Sequence, residues 1–233
     1  MAVLPVVVAW SGGKDSALAL AAIQADPGYQ VVALLTTITT GYDRISIHGV
    51  RRSVLAAQVA ALGLPLYEAS IPPNATNETY EWALAAALGQ VRVVQPGVRH
   101  IAFGDLFLAD VRAYREALLP RLGWTGLFPL WGCNTTVLAA EFISVGFRAI
   151  LCCVDTTQLG AVFAGRAFDK QLLADLPPGV DPCGERGEFH TCVYDGPIFR
   201  RGIWMQPGGQ VLRDNRFQYC DLLLEAGENT TAA

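Results

Sequence analysis

Apolar positions in the first half of the chain fall into two alternating patterns. Short unbroken runs rich in Val, Ile and Leu read as strands buried on both faces. The segments between them carry apolar residues at helical spacing. Val6-Val7-Val8-Ala9-Trp10 is the first run, and Ala17 to Ala22 begins a helix of high intrinsic propensity. Gln30 to Thr37 reads as a second buried strand, so residues 6 to 37 form a βαβ unit with a right-handed crossover. Val50 to Gly63 has a helical pattern. Val54, Leu55, Val59 and Leu62 lie on its apolar face, Gln58 is the polar exception, and Gly63 is the stop. Leu64 to Ala69 is a third strand, Asn74 to Leu88 a helix capped by Asn77, and His100 to Asp105 a fourth strand. Asp110 to Leu122 reads as a helix, Gly126 to Trp131 as a strand-like run, and Thr135 to Ser144 as another helix.

Beyond about residue 130 the texture changes. Phe147 to Val154 is a strand, Asp169 to Leu176 a short helix, and Pro177-Pro178-Gly179 a break. Period-two alternation follows: with Glu188 to Val193 extended, Glu188, His190 and Cys192 share one face, and Phe189, Thr191 and Val193 the other. Gly202 to Leu224 reads as a hairpin turning at Pro207-Gly208-Gly209, and Gly227 to Ala233 as a frayed tail. The βα alternation predicts an α/β fold: a doubly wound, Rossmann-like parallel sheet, followed by a smaller C-terminal α+β domain. The expected division is 1–132 and 133–233.

Composition narrows the function. Of 233 residues 52% are apolar and 16% charged, which suits a folded domain with a substantial core. The net charge of −4 and the absence of any basic block beyond Arg51-Arg52 and Arg200-Arg201 argue against a dedicated nucleic-acid surface. Met1 to Pro5 has no basic leader character, and no uncharged run reaches about 18 residues, so neither export nor a membrane span is expected. The six cysteines include no Cys-x-x-Cys pair, which fits reduced thiols in a cytoplasmic protein rather than a zinc site.

The strongest chemical signal lies between the first strand and the first helix, at Ser11-Gly12-Gly13-Lys14-Asp15-Ser16. A Gly-rich turn opening a helix offers unpaired backbone amides and the positive end of the helix dipole, so it attracts anions. The Walker pattern is absent because Asp15 follows Lys14, and the dinucleotide fingerprint is absent because Gly12 and Gly13 are adjacent. The six residues resemble the loop of ATP pyrophosphatases, which cut ATP between its α- and β-phosphates. Thr36, at the end of the second strand, and Gly104-Asp105, at the end of the fourth, fall on the side where open parallel sheets bind ligands. Asp15 and Asp105 are the candidate ligands for Mg²⁺, and His48 is a candidate nucleotide contact. Glu185, Glu188 and His190 form a candidate acid/base cluster.

Loop and cluster together resemble the diphthine–ammonia ligase family from Val6 to about Phe199. The family's second signature, Glu-Gly-Gly-Glu-[Tyr/Phe]-Glu-Thr, is matched at Glu185, Gly187, Glu188, Phe189 and Thr191, with departures at Arg186 and His190. The resemblance implies an adenine nucleotide alpha-hydrolase-like domain, a smaller substrate domain and a cleft between them. It also implies an AMP-forming amide ligase using ATP and Mg²⁺. The partners implied are a carboxylate-bearing acceptor (a small molecule or a modified protein side chain) and ammonia; a homodimer is compatible with them. Ser11, Gly12, Gly13 and Ser16 would hold the outer phosphates and Lys14 the α-phosphate. Glu185, Glu188 and His190 would serve the acceptor. Two other classes share features of the loop: tRNA-modifying enzymes and a non-catalytic ATP sensor.

Overall fold

The computed structural model describes residues 2–225; the tail expected at Gly227 to Ala233 lies outside them. The chain runs β1 (Leu4–Ala9), α1 (Lys14–Ala25), β2 (Tyr29–Thr39), β3 (Arg44–Ile45), α2 (Arg52–Leu62), β4 (Leu66–Ile71), α3 (Asn77–Val94), β5 (His100–Ala102) and α4 (Ala109–Arg121). It continues through β6 (Thr125–Leu127), α5 (Thr135–Ser144), β7 (Arg148–Asp155), a 3₁₀ turn (Ala161–Phe163), α6 (Lys170–Asp175), β8 (Phe189–Asp195), β9 (Met205–Arg213) and β10 (Phe217–Leu224). Two compact units are built from these elements. One comprises the chain up to Ser11, Asp15–Ser46 and Leu64–Gly132; the other comprises Gly12–Lys14, Ile47–Gly63 and the described residues from Cys133 onward.

The first unit is the α/β part. Its parallel strands lie in the order β4-β2-β1-β5-β6, with the two-residue β3 paired antiparallel to the end of β2. Val6, Val7 and Val8 are all fully buried, as a central strand covered on both faces requires. On one face Val7, Ala33, Leu35 and Ile101 pack with Leu84, Leu88 and Val91 of α3 and Leu118 and Leu119 of α4. Strand order reverses between β1 and β5. The loops leaving these two strands therefore flank the switch point, where such sheets open a crevice. Helix α3 is capped one residue earlier than expected: Thr76, not Asn77, accepts from the Thr79 amide at 3.2 Å. Asn74 instead takes a left-handed turn conformation, which delays the helix start.

The second unit contains an antiparallel sheet in the order β8-β7-β10-β9, which leaves β8 and β9 at its edges. The expected hairpin turn at Pro207-Gly208-Gly209 is not there. Those residues lie within β9, and the chain reverses at Asp214 and Asn215, both at positive φ, where Arg216 N–H donates to the Arg213 carbonyl at 3.0 Å. A paired left-handed turn matches the twist of the flanking strands, whereas proline and glycine are tolerated on an edge strand.

Asp155, at the end of β7 and 1% exposed, ties this sheet together. It accepts from the Arg216 guanidinium at 2.6 and 3.0 Å, from Gln158 Nε2 at 3.0 Å and from the Thr157 hydroxyl and amide. Hydrogen bonds from Arg216, Gln158 and Thr157 hold its carboxyl well below the usual carboxylate range. That stabilisation is complete above the unfolded-state value of about 4 and is lost as pH falls through the lower folded value. Asp155→Asn is expected to lower stability by about 2 kcal/mol at neutral pH and to flatten the loss below pH 4, as urea titrations at several pH values will read.

Candidate functional site

The loop after β1 starts where the sheet's hydrogen bonding stops. Trp10 N–H donates to the Leu35 carbonyl at 2.7 Å, and Ser11 Oγ then donates to Ser16 Oγ at 3.2 Å, closing the loop across its base. At the end of β5, Gly104 lies against the first turn of α1. A Cβ there would stand 2.6 Å from both the carbonyl carbon and oxygen of Asp15. Thr36, 2% exposed on β2, has a hydroxyl with no hydrogen-bond partner in the protein. A buried orphan hydroxyl near the ends of these strands is what a bound polar ligand would satisfy. Asp105 is committed differently: Arg115 holds its carboxylate through Nε at 2.7 Å and a second nitrogen at 3.2 Å, with the guanidinium 4.1 Å above the Phe103 ring. Asp105 therefore already carries one cation, and a Mg²⁺ ion there would share the carboxylate with the guanidinium. Among the described residues no group of three or more His, Cys, Asp or Glu side chains is arranged to hold a metal.

Within the second unit, the loop tip is fastened to β8. Val193 N–H donates to the Gly12 carbonyl at 2.8 Å, and the Lys14 amide donates to Thr191 Oγ1 at 3.0 Å. One of the helix-start amides expected to face an anion is thus already spent on Thr191. Gly13 fits only because it lacks a side chain: a Cβ would lie 2.8 Å from His48 Cε1 and 3.0 Å from the Thr191 carbonyl. The Lys14 side chain is 2% exposed, with its ammonium 5.9 Å from the centre of the Phe189 ring.

His48 and His190 meet beside this lysine, their rings 4.7 Å apart and tilted by 40°. His48 Nδ1 lies 3.2 Å from the Thr191 carbonyl, which can only accept, so Nδ1 carries the hydrogen and Nε2 the lone pair. Burial, opposed in part by the Thr191 bond and reinforced by the Lys14 charge, pushes His48 down to about 4. Burial, then His48, then Lys14 push His190 down to about 3. Both rings are neutral near pH 7 and are weak bases.

The acidic part of the predicted cluster is engaged elsewhere. Glu188, 2% exposed, accepts from the amides of Asp181 at 2.8 Å and Arg186 at 3.0 Å. Asp181 in turn accepts from the Cys183 and Glu185 amides and from the Thr135 hydroxyl at 2.7 Å. These two buried carboxylates shape the 181–188 loop that carries Glu185. The structure therefore brings His190 to His48 and leaves Glu188 bonded within its own loop. Cys192 is no nucleophile, because burial pushes its thiol up to about 12.

The sequence tied neither Gln58 nor Thr191 to the loop, although Thr191 is a matched position of the second signature. Gln58 stood out as a polar residue on an apolar helical face, yet nothing in its spacing tied it to the loop 46 residues upstream. Thr191 lay on the strand face opposite the one singled out.

Comparison with known proteins follows the same two halves. The chain matches the family profile of the diphthamide synthase N-terminal domain over residues 4–125 and that of the diphthamide synthase C-terminal domain over residues 134–220. It is 27% identical to the diphthine–ammonia ligase of Schizosaccharomyces pombe, covering 93% of this chain and 38% of that protein. The diphthine–ammonia ligase of Danio rerio is 28% identical, with 83% of each chain covered, and that of Homo sapiens 29%, covering 83% of this chain and 79% of that protein. Among solved structures, a predicted subunit of tRNA methyltransferase from Methanocaldococcus jannaschii aligns with a TM-score of 0.42 at 16% identity, over 86% of this chain and 100% of that one. No helix among the described residues is long and apolar enough to cross a membrane.

Two measurements test this geometry. Gly104→Ala drives a methyl into the Asp15 backbone and is expected to cost about 1–3 kcal/mol of stability, read by urea denaturation. The neutral histidines add stability that is complete above the unfolded value of 6.5. It declines as pH falls from 6.5 toward 4, because unfolding there takes up two protons. His190→Gln is expected to halve that slope.

Proposed function

Because the chain belongs to the diphthine–ammonia ligase family, we propose that it is an ATP-dependent amide ligase that activates a carboxylate by adenylation for attack by ammonia. The supporting observation is that the two signature stretches are hydrogen-bonded to each other: the Lys14 amide donates to Thr191 Oγ1, and Val193, two residues past the second signature, donates to the Gly12 carbonyl. Residues 1–132 would contribute most of the ATP domain and residues 133–233 the acceptor domain. On contact grounds Gly12–Lys14 group with the second unit.

In this reading Ser11, Gly12, Gly13 and Ser16 hold the β- and γ-phosphates, and Thr36 offers its orphan hydroxyl to the nucleotide. Lys14, with Asp15 following at the helix start, places its ammonium against the α-phosphate, where negative charge grows as the carboxylate oxygen attacks phosphorus and pyrophosphate leaves. Nitrogen of ammonia then attacks the acyl carbon, AMP leaves with the bonding pair, and one proton is released. Gly104 shapes the site from the end of β5, and Asp105 acts through Arg115. At about 3 and 4, His190 and His48 are too weakly basic to drive deprotonation at neutral pH, so they serve as hydrogen-bonding groups toward the acceptor. Glu185 is left as the candidate for the departing proton, with Glu188 holding its loop in shape. Mg²⁺ would arrive with the nucleotide.

The test is incubation of the protein with α-labelled ATP, Mg²⁺, ammonium and a panel of carboxylate acceptors, scored for AMP and pyrophosphate. Wild type is expected to yield both with a matching acceptor. Lys14→Ala is expected to lose about 10²- to 10³-fold in rate. Equal rates in the two proteins contradict the role given to Lys14.

A further inference from the structure

We infer that Gln58 is a positioning residue for the ATP phosphates, acting through the carbonyl of Gly12; the inference rests on the ATP-binding role proposed for the loop. Gln58 lies on α2 among the buried Val54, Leu55, Ala61 and Leu62, and is itself fully buried. Its carboxamide nitrogen stands 3.0 Å from the Gly12 carbonyl and 2.7 Å from the Val193 carbonyl, with Cys192 Sγ at 3.6 Å. Both carbonyls can only accept, so the two hydrogens of the amide are each assigned and the side chain cannot flip. The Gly12 carbonyl receives a second hydrogen bond, from Val193 N–H at 2.8 Å. Gln58 thus joins the edge strand β8 to the first glycine of the loop.

Gly12 is matched to this partner. Its φ of +77° is left-handed, and a Cβ would stand 2.7 Å from Gln58 Oε1. The side chain that anchors the carbonyl therefore also fills the space where any other residue would point. With the carbonyl fixed, the peptide joining Gly12 to Gly13 has one orientation, and its N–H direction is set before a phosphate arrives. Thr191 does the equivalent for Lys14 from the same strand. On a helix face that Leu or Met would otherwise fill, a fully buried glutamine is retained because both of its donors are satisfied by these two carbonyls.

Three readouts test the inference. Gln58→Leu keeps the volume but removes both donors. It is expected to raise KM for ATP about tenfold while kcat changes less than about threefold, because the lost grip is on phosphates bound in ground and transition states alike. Hydrogen exchange of the Val193 amide, measured without ATP, is expected to speed up about tenfold in the same variant. Gln58→Glu sets a carboxylate against two carbonyls. Its ATP KM is expected to fall toward the wild-type value as pH drops and the protonated acid regains one donor, a trend wild type does not share. A folded Gln58→Leu protein with wild-type KM and wild-type Val193 exchange overturns the inference. Should that variant not fold, a pH-independent KM in Gln58→Glu overturns it. A wild-type protein that makes no AMP refutes the proposed function instead, and Val193 exchange still reads the clamp by itself.

Discussion

The carbonyl of Gly12 is the point on which the attachment of the loop tip to β8 depends. It accepts from the Val193 amide and from the Gln58 carboxamide, and these two bonds fix the loop tip to the edge of β8. An edge strand ordinarily presents unpaired backbone groups. Here the loop and a glutamine take up that edge at Val193, so the strand's hydrogen-bonding surplus becomes the loop's support. Thr191, two residues along the same strand, binds the Lys14 amide. Thr191 supports the loop through its side chain, and Val193 through backbone groups on the unpaired edge of the strand. Placing ionisable residues at every second position highlighted the face opposite Thr191.

Electrostatics at the site follow from burial. Lys14 sits almost without solvent above an aromatic ring, and the nearby imidazoles are kept neutral partly by its charge. An ammonium held out of water interacts with a neighbouring charge more strongly than the same group in solvent. Glu188 and Asp181, in the same unit, are engaged by loop amides. The buried carboxylates that hold the 181–188 loop follow one rule: charge taken from water must find partners.

Much of the fold could be read from the chain because its signals were local. Val6 to Val8 read as a buried strand and are fully buried, and the helix over Thr135–Ser144 falls where its pattern placed it. The six-residue loop was legible because glycines, serines and lysine between a strand and a helix have few other uses. Turn chemistry misled at Pro207-Gly208-Gly209, where edge-strand tolerance of Pro and Gly outweighed their turn preference and Asp214-Asn215 supplied the reversal. Gln58 and Thr191 were illegible for another reason. Their roles exist only once residues 46 and 177 positions apart are hydrogen-bonded, and no periodicity encodes that.

The most direct measurement is an ATP titration followed by the backbone amide resonances of the loop. The account predicts saturable shifts centred on Gly12, Gly13 and Lys14, with Val193 responding through its bond to the Gly12 carbonyl. Unmoved loop amides at an ATP concentration that shifts other resonances, or that shifts none, would contradict it.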